Sequence, residues 1–106
     1  MSHQASHIEC PPQPLDDAAL EALASLELRA GETEAAIRSA QLLIARDPLD
    51  ESAHRLLLEG LARLGQGADA LRHYRALEKR LREELGVVPQ AETVALEARI
   101  RAGLGA

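Results

Sequence analysis

LEALASLELRAGETEAAI, residues 20–37, is followed in register 34 residues later by HRLLLEGLARLGQGADAL, residues 54–71. Gly31 falls on Gly65, Ala36 on Ala70, Ile37 on Leu71 and Leu23 on Leu57, and the same offset carries Leu43 onto Leu77. Each stretch is a run of helix formers that meets a glycine and then starts a second apolar-periodic run. A period of this length holds one pair of helices joined by a turn. Such a unit cannot bury its apolar face alone, so it stacks on a neighbour and leaves a groove that grips other polypeptides. The repeat therefore points toward binding rather than catalysis.

Working outward, the pattern predicts five helices. The first spans about Leu15 to Ala30, with Asp16 and Asp17 at its start, an apolar set including Leu20, Leu23, Ala24 and Leu26, and Gly31 as its stop. The second runs from about Thr33 to Arg46, with Ala36, Ile37, Ala40, Leu43 and Ile44 on one face, before Pro48 breaks the pattern. Asp50 suits the N-cap of a third, about Glu51 to Leu64, whose inward set includes Ala53, Leu57 and Leu61. Gly65 and Gly67 form the next turn. A longer helix, about Ala68 to Leu85, carries Leu71, Tyr74, Leu77, Leu81 and Leu85, and ends at Gly86 ahead of Pro89. The last, about Ala91 to Ala102, presents Leu96 and Ile100. A third repeat would need its turn glycine at position 99, where the chain has Arg99. The expected fold is all-α: a tetratricopeptide-like αα solenoid of two helical hairpins plus a closing helix.

Composition agrees. The chain has 106 residues, 46% of them hydrophobic, with no Trp, no Phe and one Tyr, so a single core must be built from Leu, Ala, Ile and Val. Ala36 and Ala70 stand where a larger side chain would push paired helices apart. The net charge of −5 is uneven: residues 15–59 carry ten acidic and four basic side chains, residues 60–106 six acidic and eight basic. That balance argues against DNA binding by this chain alone, because neutralising phosphates needs a basic face. One cysteine permits no internal disulfide, and no apolar run approaches the roughly 20 residues that span a bilayer. No secretory signal is visible, so a soluble cytoplasmic protein is expected. Residues 1–14, with Pro11, Pro12 and Pro14, read as a flexible Pro-rich tail ahead of a domain over 15–106. His3, His7 and Cys10 lie in that tail, but three ligands without a fourth do not make a zinc motif, and no metal or cofactor is expected.

From Leu15 to Arg101 the sequence resembles the bacterial transcriptional activator domain, the helical module of antibiotic-regulatory activators. The stretches that carry the resemblance are residues 20–37 above, ARDPLDESAHRLLLEGLARLG over 45–65 and ADALRHYRALEKRLREELGVVP over 68–89. The run EELGVVP followed by AETVALEARI is the most specific, since ordinary tetratricopeptide repeats do not continue that way. The resemblance implies a regulatory role through contacts with transcription machinery, with another domain of a regulator, or with a second copy. In that family the module follows a winged-helix DNA-binding domain, and nothing before Leu15 matches one. An excised module of a larger regulator and a short protein keeping only the interaction half both remain open. The alternative is a generic tetratricopeptide-type adaptor or assembly scaffold unrelated to transcription.

In related repeat proteins the first helix of each hairpin lines the concave face. Carried over by register, the partner-binding candidates are Glu21, Ser25 and Arg29, then Ser52, Arg55, Glu59 and Arg63. The competing reading is a solvated face with pairs such as Arg55–Glu59 and Glu59–Arg63. Arg72, Arg75, Lys79 and Arg82 form a basic stripe in the fourth helix, with Glu78, Glu83 and Glu84 available to balance it. His54 and His73 appear isolated on their helices, with no nucleophile or carboxylate arranged around them, so no enzyme is expected. An apolar end surface at the first helix makes a homodimer plausible.

Overall fold

The computed structural model describes residues 16–105. Five helices follow one another: α1 (Asp17–Arg29), α2 (Thr33–Arg46), α3 (Glu51–Arg63), α4 (Gly67–Leu85) and α5 (Ala91–Gly105). There is no strand among the described residues. Each helix packs on the next, and α3 also touches α1 and α5, so the fold is an all-α solenoid of two hairpins closed by one helix.

The helix ends follow from local chemistry. Asp16 and Asp50 accept hydrogen bonds from the amides of Ala19 (2.8 Å) and Ala53 (3.2 Å), capping α1 and α3. Gly31 and Gly65 take φ of 83° and 78°, the left-handed region that glycine enters without strain. At each of these turns the following amide reaches back to close the helix, Glu32 N to Glu27 O and Gln66 N to Leu61 O, both at 2.8 Å. The two turns are the same device repeated at the sequence period.

Packing joins the hairpins through small residues. Leu20, Leu43 and Ala53 meet between the first three helices, and Ile37, Ala40 and Leu57 seal α2 against α3. A second body of core, Leu58, Ala70, Leu71, Tyr74, Leu96 and Ile100, ties α3, α4 and α5 together. Ala36 and Ala70 are fully buried. Gly60 marks the closest approach: a Cβ there would lie 2.7 Å from Ile37 Cγ1.

Some expectations need correction. In α1, Leu23 and Leu26 are 38% and 56% exposed, while Leu28 is buried in their place. The repeat register supplies the reason. Leu57 and Gly60, their equivalents in α3, pack on α2, and no helix among the described residues plays that part for α1. Leu85 is also exposed, because α4 runs past the body of α3 by its last turn. Gly67 begins α4 rather than lying in the turn, and α5 continues to Gly105 rather than Ala102. The Pro-rich tail and its His3, His7 and Cys10 lie outside the described residues.

Candidate protein-interaction groove

The face formed by α1, α3 and α5 carries two adjoining concavities. One, of about 360 Å³, is bordered by Glu21, Ser25, Ser52, Arg55, Glu59, Glu92 and Arg99. The other, of about 460 Å³, has an apolar wall of Ala62, Leu96, Ile100 and Leu104. Glu59, Leu96 and Arg99 border both. Of the sequence-derived candidates, Glu21, Ser25, Ser52, Arg55 and Glu59 come together at the first concavity, Arg63 reaches the second, and Arg29 borders neither.

Several of these side chains are already engaged. Arg55 donates to Gln90 Oε1 (2.8 Å), Thr93 Oγ1 (3.0 Å) and Ser52 Oγ (3.3 Å). The Arg55–Glu59 pair expected from helical spacing is not formed, because α5 offers the guanidinium several acceptors at once. Arg63 pairs with Glu59 at 2.7 Å, as expected, and also donates to Leu28 O at 2.7 Å, near the last turn of α1. Glu21, Glu92 and Arg99 have no ion-pair or hydrogen-bond partner among the described residues.

Glu51 is a residue that sequence reasoning missed. It is buried, and its Oε1 accepts from Gln90 N (2.9 Å) and from the Thr93 hydroxyl (2.8 Å). A carboxylate of α3 thus caps the start of α5 across the tertiary structure and positions the third wall of the groove. Its place one residue after an N-cap advertises only a favourable dipole contact within its own helix.

The histidines are not isolated. His54 Nε2 lies 2.7 Å from Pro48 O, so that nitrogen carries the proton; His54 Nδ1 then accepts from His73 Nε2 at 2.9 Å. Burial lowers the basicity of both rings, and for His73 the neighbouring His54 lowers it further. Among the described residues neither ring is hydrogen-bonded to a hydroxyl, thiol or carboxylate. The pair links the α2–α3 connection to α4. Among the described residues no group of three or more His, Cys, Asp or Glu is arranged to hold a metal.

The basic stripe of α4 borders neither concavity, and two of its four members are paired on their own helix. Arg72 pairs with Asp69 and Lys79 with Glu83 at 3.8 Å; Arg80, beside the stripe, pairs with Glu84 at 3.0 Å, and all three pairs are solvent-exposed. No helix among the described residues is long and apolar enough to cross a membrane.

The chain is 50% identical over 69 residues to the Transcriptional regulator RedD of Streptomyces coelicolor, covering 65% of this chain and 19% of that protein. It is 39% identical over 75 residues to the Regulatory protein AfsR of Streptomyces griseus, covering 71% of this chain and 8% of that protein. The chain thus spans under a fifth of the length of these curated relatives. No solved structure matches it at a significant level. The family model of the bacterial transcriptional activator domain matches residues 14–101, nearly the whole sequence, and the chain belongs to that family.

Proposed function

We propose that this domain is a non-catalytic protein-interaction module through which a transcriptional regulator contacts a protein partner, and that the α1–α3–α5 groove is the contact surface. The observation that carries the reading is the groove's composition. Three helices bring charged side chains to one concavity, and Glu21, Glu92 and Arg99 have no partner there among the described residues. A test is to fuse the domain to an unrelated DNA-binding domain and measure reporter transcription. Glu21→Lys combined with Ser25→Arg abolishes activation while helical circular dichroism is retained; unchanged activation would remove the groove from the assignment. The chain alone leaves a DNA duplex unretarded at physiological salt, consistent with its net charge of −5.

Self-association is a second reading, favoured by a separate observation. Leu23 and Leu26 occupy register positions that in α3 are covered by α2, yet in α1 they face solvent. A second copy covering this edge would bury both. Light scattering across protein concentration then shows a dimer that Leu26→Lys disperses; a monomer at every concentration would discard this reading.

A further inference from the structure

The two halves of the groove leave different chemistry unsatisfied. At the end near α1, Glu21 and Glu92 present carboxylates with no partner among the described residues. At the other end the wall is apolar, formed by Leu96, Ile100 and Leu104, and Leu104 remains half exposed. Arg99 borders both halves, is exposed and has no ion pair among the described residues. Glu59, which borders the same two concavities, is already paired with Arg63. One unpaired guanidinium therefore stands at the rim of an apolar cavity of about 460 Å³.

Resting on the interaction reading above, we infer that the partner is a peptide segment carrying an acidic side chain next to a large aliphatic or aromatic one. The apolar side chain fills the Leu96–Ile100–Leu104 half, and the carboxylate meets Arg99. A cationic side chain farther along the segment faces Glu21 and Glu92, which sets the direction in which it lies. The planar guanidinium matches a carboxylate through two parallel hydrogen bonds. Seating an apolar side chain beside it excludes water from that pair and raises its weight in recognition. Gly103 borders the same cavity, and a Cβ there would meet nothing within 4 Å, so a larger side chain can be introduced at that position without a clash.

The test is selection of short random peptides on the intact domain, followed by fluorescence anisotropy with the enriched sequences. Enriched peptides pair Asp or Glu with a nearby Leu, Ile, Phe or Met. Arg99→Glu weakens them by at least about tenfold, and exchanging the peptide acid for Lys restores binding to that variant. Gly103→Leu, a bulky substitution at a cavity-lining position with room for a Cβ, weakens them similarly with no loss of thermal stability. Peptides that lack acids, or that keep their affinity for Arg99→Glu, overturn the inference; if they still compete at the groove, the interaction reading survives. Self-association abolished by Arg99→Glu would assign the groove to a second copy and overturn it too. No groove-bound peptide at all would overturn both.

Discussion

Replacing Glu51 with Ala should detach the start of α5 from α3. The carboxylate accepts from the backbone amide of Gln90 and from the hydroxyl of Thr93, and Thr93 is fully buried. Losing a capping acceptor costs about 0.5–2 kcal/mol. Losing a charge-assisted hydrogen bond to a buried hydroxyl costs about 1.5–3 kcal/mol. Arg55 still donates to Thr93 Oγ1 and Gln90 Oε1, which holds the segment partly in place and places the total at about 2–4 kcal/mol. Urea unfolding followed by circular dichroism measures this as a lowered midpoint with an unchanged slope. Amide exchange in α5 accelerates more than in α1, because the lost contacts belong to the last helix. Glu51→Gln, which keeps an acceptor oxygen, loses less. Thr93→Val removes the same hydroxyl bond from the other side, so the double variant is less destabilised than the sum of the singles. Strict additivity, or an Ala variant within about 0.5 kcal/mol of the parent, would refute the proposed cap.

Ala70→Leu overpacks the α3–α4 contact and lowers stability by about 1–3 kcal/mol, read as a reduced urea midpoint. The His54–His73 pair makes stability sensitive to pH. Both rings bind protons less readily folded than unfolded, so their stabilisation is complete above the ordinary value of 6.5 and declines as pH falls below it. Asp50 and Glu51 oppose this at His54 while Arg80 reinforces it, and a proton on His54 Nδ1 would set two N–H groups against each other. The urea midpoint should fall between about pH 7 and pH 5, and less so in His73→Asn; a flat profile there would contradict the buried pair. Glu97 acts in a separate window. Its hydrogen bonds to Arg101 hold its carboxyl below the ordinary 4.5, so that contribution persists until more acidic pH and is small, the pair being solvent-screened.

The helices and turns were legible because their causes are local. Gly31, Gly65, Asp16 and Asp50 act within a few residues of themselves, and the repeated offset showed which residues share a role. Site residues placed by register, such as Glu21 and Ser52, reach the groove for the same reason. Partners chosen by helical spacing fared unevenly. Glu59–Arg63 forms, whereas Arg55 turns toward Gln90 and Thr93, which are 35 and 38 residues away along the chain. Nothing near Arg55 in sequence indicates that a better set of acceptors arrives with α5.

The residue pattern alone was enough for five helices, the glycine stops at Gly31, Gly65 and Gly86, the small-residue contacts at Ala36 and Ala70, and the close of the repeat before a third unit. Those are matters of backbone conformation and of apolar periodicity, which residues near in sequence decide. The tertiary structure decided which of the apolar positions on α1 has a neighbour to cover it. It also brought His54 to His73 and made Glu51 the cap of a helix in another part of the chain. Arg99 carries the same lesson: by spacing it marks only where the repeat stops, but the packing of α5 stands it unpaired between a polar and an apolar cavity. Burial and ion pairing depend on what arrives from elsewhere in the chain, and only the assembled packing supplies that.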